Sequence, residues 1–362
     1  MFISPISSIS FNQNYRFLGV TAPTLNAVNP TFRAANPQSV VDNIIKHKKI
    51  KINNTSAGAP LKRLKNITDP YFGVKLIDNF RLHKIEKDIT KISDTKQLLK
   101  YLKRFRPNNL QLVERNIYDR FVEEIKLNPN ARLEDMLQKW YPEAITKLKL
   151  EEFAVLDEIN QLSMKLHPET LLAIREQTTK CGQVILKNDP MNQFKRKTVL
   201  EAINRIKPQP GEEAALEELK KCANKLPTSN TSENAFIVKY ASRSQDEIAK
   251  RLVRASALSI EHLHPHSLGG ENALSNFMLA SSSANSLRGN MPLKDFIKQY
   301  PQIIPNCQKY INDIIDVINK GGLEGFETYP YEVARTLEIE SEGLIRLDLS
   351  RLRYNFELLR NM

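Results

Sequence analysis

The strongest constraint on the fold is a series of apolar stripes at helical spacing that begins near Thr95 and continues, with interruptions, to Leu226. Val113, Ile117, Phe121 and Ile125 recur every fourth residue and therefore stack along one face of a helix. Ahead of them Leu98, Leu99, Leu102 and Phe105 form a stripe opposite a basic face of Lys96, Lys100, Lys103, Arg104 and Arg106, with Pro107 as its stop. Further helices are expected near 132–147 (Leu133, Met136, Leu137, Trp140), 150–166 (Phe153, Leu156, Ile159, Leu162), 168–187, 196–206 and 212–225. The breaks between them carry Asn128-Pro129-Asn130, His167-Pro168, Lys207 to Gly211 and Leu226 to Ser229. Connections this short favour an antiparallel bundle. Only 12 glycines in 362 residues agree with that expectation, so the fold class is mainly α.

Outside the bundle the periodicity changes. Residues 1–40 are rich in Ser, Asn, Pro and Thr without a period, and with the basic run that follows, residues 1–67 read as a disordered, basic leader. Asp69 to Ile77 reads as a short strand or the start of a hairpin, with Gly73 at its turn. The cluster Pro227 to Glu233 divides a helical domain, 68–227, from a second domain, 228–325, in which Ala235 to Ala257 is expected to be mainly helical. Helices are also expected at Pro292 to Gln299 and Ile303 to Ile318. Residues 326–362 form a C-terminal extension, helical or hairpin-like.

Cys181, Cys222 and Cys307 are too far apart for a zinc knuckle and odd in number; each sits among apolar residues at helical spacing, as a buried small hydrophobe does. No apolar run reaches the roughly 18 residues that span a bilayer, and the N-terminus lacks a basic n-region with a continuous apolar stretch. A cytoplasmic location with no membrane partner is the expectation.

The net charge of +12 is local. Between Val41 and Leu110 there are 17 Lys plus Arg against 6 Asp plus Glu, while the residues after Leu110 nearly balance. Lys46, Lys48, Lys49, Lys51, Lys62, Arg63 and Lys65 flank a turn-forming Asn-Asn-Thr-Ser-Ala-Gly-Ala-Pro. Such a run is either a solvated linker or an arm for phosphate; Lys and Arg that neutralise phosphates release counterions and give affinity independent of base sequence. The second reading gives a nucleic-acid partner.

One stretch carries chemistry: Ser259 to Asn290, SIEHLHPHSLGGENALSNFMLASSSANSLRGN. Ser259 to Leu263 is β-compatible and closed by Pro265, Gly269-Gly270 permits a tight reversal, Phe277 to Leu279 is a second apolar run, and Ser281 to Arg288 reads as a short helix. Glu261-His262, Pro265-His266-Ser267, Gly269-Gly270, Asn276-Phe277 and Asn285 to Arg288 follow one another as they do in the HNH endonucleases, the ββα-metal or His-Me finger nucleases, which this stretch resembles. The resemblance covers about 30 to 60 residues and implies a C-terminal ββα-metal finger, embedded in helices, that hydrolyses phosphodiester bonds. It implies His262 as the general base, Glu261 and Asn285 as oxygen ligands of one divalent cation, Mg²⁺ or Mn²⁺, Asn276 as the residue that orients His262 and braces the loop, and Arg288 as a phosphate contact.

Glu261 stands where Asp is commoner in the family. Ser281 and Ala284 occupy the places of a zinc-binding cysteine pair, so no structural zinc is expected and neighbouring helices must support the finger. On a regular strand Glu261 and His262 point to opposite faces; a bend at Leu263 to Pro265 is needed to bring both to one phosphate. Three alternatives use the same residues. His262, His264 and His266 could share a transition metal on an extended strand, a geometry that Pro265 interrupts. The finger could be a polar turn without activity in a helical nucleic-acid-binding or scaffold protein. A metallohydrolase other than a nuclease is the third.

Overall fold

The computed structural model describes Gly58 and residues 61–187, 199, 201–203, 205–207, 209–323 and 325–353. Lys46, Lys48, Lys49 and Lys51 lie outside the described residues, as does the side chain of Arg63.

The described chain is mainly helical, with one small antiparallel sheet. Its helices are α1 (Asn79–Ile89), α2 (Thr95–Lys103), a single turn at Arg106–Asn109, α3 (Leu112–Leu127), α4 (Leu133–Ser163), α5 (Pro168–Leu186), α6 (Glu213–Ala223), α7 (Glu233–Tyr240) and α8 (Gln245–Arg254). Strand β1 (Leu258–His262), β2 (Phe277–Ser281) and α9 (Ser282–Arg288) follow, then α10 (Leu293–Gln299), α11 (Ile303–Ile318) and α12 (Tyr329–Glu340). Among the described residues no helix is long and apolar enough to cross a membrane.

The elements start where the stripes put them, but α2 ends at Lys103, and Pro107, expected as its stop, opens the single helical turn that follows. Asp94 caps α2 by accepting from the Gln97 amide at 2.7 Å, and Leu98, Leu99 and Leu102 are its buried face. Two helices differ. The segments expected at 132–147 and 150–166 are one helix, α4, which runs through Pro142 because no stop signal follows it before Ser163. The helix expected from Ala235 to Ala257 is two, α7 and α8. Ser244 and Glu247 restart the chain with a reciprocal capping box, a signal present in the sequence as Ser-x-x-Glu.

Three apolar cores result, and they do not follow the divisions expected after residues 67, 227 and 325. The first combines α1 to α3 and the start of α4 with α7 and α8. The second lies between α4, α5 and α6, and buries Cys181 and Cys222. The third surrounds the β-sheet and draws Leu61, Leu64, Ile67, Tyr71 and Leu76 from before α1, together with Phe296, Cys307, Ile311, Ile314, Tyr329, Val333 and Ile345. Residues 61–67 are thus core rather than leader, and part of the C-terminal extension is a wall of the same core. Asp69 to Ile77 takes the hairpin form of its two expected conformations: Gly73, with φ of 71°, turns the chain back so that Lys75 bridges Thr68 antiparallel, and Ile77 then bridges Ala257.

Candidate active site

β1 and β2 pair in regular register from Leu258 opposite Ser281 to His262 opposite Phe277, and the Leu263 amide continues the ladder to the Asn276 carbonyl at 2.9 Å. There is no bulge before Leu263, so Glu261 and His262 take opposite faces of the strand. Their neighbours are accordingly different.

His262 lies at the strand's end. Phe277, directly opposite, meets its ring edge to face with centroids 4.7 Å apart. Nε2 is 2.9 Å from Asn272 Oδ1. A carbonyl oxygen only accepts, so this contact places the imidazole proton on Nε2 and leaves the Nδ1 lone pair available as a base. Asn272, which the motif does not include, therefore does the orienting that was expected of Asn276.

Asn276 braces the loop instead. Its Oδ1 accepts from the His264 amide at 2.7 Å, and its Nδ2 donates to the His264 and Glu271 carbonyls at 3.0 and 2.9 Å. The loop reverses where expected: Gly269 has φ of 97°, and a Cβ on Gly270 would lie 2.0 Å from the His264 carbonyl oxygen, so only glycine fits there. His264 fastens this loop to α12, with Nδ1 3.1 Å from Glu340 Oε2 and Nε2 3.1 Å from the Leu268 carbonyl. Both nitrogens face acceptors, which favours imidazolium; the Glu340 and Leu268 hydrogen bonds raise its pKa above the ordinary histidine value. With both nitrogens engaged, His264 does not join His262 and His266 in a shared metal site, and among the described residues no group of three His, Cys, Asp or Glu side chains is arranged to hold a metal.

The opposite face of β1 is a buried polar network. Glu261 is 3% exposed and Arg288, on α9, is fully buried; Nη1 of Arg288 donates to Glu261 Oε1, which also accepts from the Tyr71 hydroxyl at 3.2 Å. Arg288 further donates to the carbonyls of His262 (2.7 Å), Leu263 (2.6 Å) and Met291 (3.1 Å). Its guanidinium closes the end of the strand and has no surface to offer a phosphate, which corrects the phosphate role. Burial pushes the Glu261 carboxyl up to about 7, with Arg288 pulling the other way. Asp69, fully buried, accepts from the Ser281 and Phe72 amides at 2.9 and 2.7 Å, and burial pushes its carboxyl up to about 6.

Asn285, one turn before Arg288 on α9, donates through Nδ2 to Ser259 Oγ and the Ile260 carbonyl, both at 2.9 Å. What remains for a cation at this corner is one amide oxygen and a carboxylate already neutralised by a buried arginine, on the face away from His262. A divalent cation that serves a base needs hard oxygens beside that base. The donor set here does not fit that role; instead of holding a metal, Glu261 and Asn285 tie β1 to α9.

Of the basic run, Lys62 and Lys65 are exposed beside a 3₁₀ turn at Leu61–Arg63, next to the sheet. Tyr71, Asp69 and Glu340 reach the site from far along the chain and carry no local signal. Comparison with known proteins gives no match among family models, curated proteins or solved structures.

Proposed function

We propose that this chain is an HNH-type endonuclease that hydrolyses phosphodiester bonds of nucleic acid, DNA ahead of RNA, with His262 as general base. The observation that carries the reading is the Asn272 contact, which holds His262 in the tautomer with Nδ1 free at the open end of a β-loop-β-α unit. In the reaction Nδ1 takes a proton from water as the water oxygen attacks phosphorus. The bond to the leaving sugar oxygen breaks with that oxygen taking a proton from solvent, and His262 then returns the proton it gained to solvent. A positioned base of this kind contributes about 10²- to 10⁴-fold. Mg²⁺ or Mn²⁺ dependence belongs to the family resemblance, and no step here is routed through the ion.

The test incubates the purified protein with supercoiled plasmid, single-stranded DNA and RNA, with Mg²⁺ or Mn²⁺ and then with EDTA. Cleavage that His262→Ala abolishes is the expected outcome; cleavage that survives it removes His262 from the chemistry. The buried Glu261–Arg288 pair, standing where the resemblance puts a metal ligand, favours a second reading, a helical nucleic-acid-binding protein whose finger is inactive. Binding without cutting by the wild-type chain under every metal condition selects it.

A further inference from the structure

At the other end of β1 from His262 lies a cleft of about 180 Å³ lined by Lys62, Lys65, Asp78, Asn79, Phe80 and Leu258. Phe80 is 84% exposed in the first turn of α1, an aromatic ring presented to solvent rather than to a core. It stands in a field of cations. Lys62, Lys65, Arg81 and Lys84 are all exposed, and among the described residues none of the four has a carboxylate partner. Asp78, the one acid of the cleft, accepts from the Arg81 amide at 2.8 Å as the cap of α1.

The cleft and His262 are on one side of the strand. Leu258, Ile260 and His262 share a face by the alternation of side chains. Between the cleft and His262, Gly58 lies against Ile260: a Cβ there would be 2.3 Å from Ile260 Cδ1. At about 3.3 Å per residue, Leu258 and His262 are roughly 13 Å apart along the strand.

We propose that this cleft binds an unpaired nucleotide of a single-stranded nucleic acid, its base stacked on Phe80 and its flanking phosphates held by Lys62 and Lys65. An exposed ring beside cations with no acid partner matches the stacking platform and charged groove that single strands take up. A duplex keeps its bases stacked on one another and offers Phe80 no free face. This binding stands apart from the nuclease reading and needs no cutting.

The experiment measures fluorescence anisotropy of the full chain with a labelled 15-nucleotide DNA, the matching RNA and the corresponding duplex, in EDTA. Phe80→Ala is expected to weaken single-strand binding about 5- to 150-fold while duplex binding holds, and Phe80→Tyr to restore it. Lys62→Ala with Lys65→Ala should reduce the slope of log affinity against log salt by about 1.4 on single strands. Single-strand binding untouched by Phe80→Ala, or lost equally on the duplex, overturns the proposal. Single-strand binding through Phe80 by a protein that never cuts upholds it and sinks the nuclease reading alone.

Discussion

Replacing Arg288 with Met tests whether the network on the helix face of β1 is structural. Met keeps much of the aliphatic volume and removes the charge. Glu261, 3% exposed, is then left with only the Tyr71 hydroxyl, and the carbonyls of His262, Leu263 and Met291 lose their donor. Removing one partner of a buried ion pair costs about 3–5 kcal/mol. The deficit depends on pH. In the wild type the folded-state pKa of Glu261 is about 7, above its ordinary value near 4.5, so the folded chain holds that proton more tightly. Stability from this group is therefore greatest below about pH 4.5 and declines as pH rises toward 7. Without Arg288 the attraction that opposes burial is gone, the folded pKa rises further, and the loss continues at about 1.4 kcal/mol per pH unit above 7. Urea unfolding of the wild type and the Arg288→Met variant at pH 5, 7 and 8 reads this as a gap that widens with pH. Adding Glu261→Gln to the variant removes the ionisable group and should flatten the dependence. A variant within about 1 kcal/mol of wild type at every pH refutes the structural role. So does a Glu261→Gln single variant that unfolds like wild type yet has lost metal-dependent cleavage, because it would return Glu261 to the cation.

Two further outcomes follow from the same geometry. Asn272→Ala should lower cleavage by roughly 10- to 100-fold, the usual cost of losing an orienting partner, and change stability by less than about 1 kcal/mol; Asn272→Asp keeps the acceptor and should recover most of the rate, and equal loss in both variants would show that orientation is not the cause. Asp69, with its folded-state pKa near 6, lowers stability as pH rises from about 4 to 6, by about 3 kcal/mol on the shift alone. Asp69→Asn should abolish that slope in urea midpoints taken from pH 4 to 7, and parallel curves for the two proteins would contradict it.

The local features of this fold were legible because they are written in adjacent residues. Periodicity and caps placed α2, α3, α10 and α11, and the order of turn residues placed β1, the Gly269-Gly270 reversal, β2 and α9. The site was less legible, because a motif names residues and not their partners. Glu261 looks like a ligand until Arg288 and Tyr71 are beside it. Asn276 and Asn272 are the same residue type four positions apart, and only the geometry tells that the first holds backbone and the second holds His262. Asp69 and Tyr71 come from a segment 190 residues and more before their partners Glu261 and Ser281, so no local pattern announces them.

The small size of the β-loop-β-α unit explains why those distant residues are there. Two five-residue strands and a seven-residue helix bury too little apolar surface to stand alone. Ser281 supplies part of what is missing: its amide donates to Asp69, and its hydroxyl accepts from the Ala284 amide and from Gln111 Nε2, joining the end of β2 to three separate parts of the chain. Arg288 closes the other end by donating to three carbonyls. Below them Tyr310 and Tyr329, both fully buried, share a hydrogen bond of 2.8 Å and reach the Leu279 amide and the Phe277 carbonyl of β2. Polar contacts from α11, α12 and the segment before α1 thus converge on one short strand. That convergence holds β2 from one side, while on the face of β1 that carries Leu258, Ile260 and His262 the Gly58 backbone already lies against Ile260, and His262 stands at the strand's end.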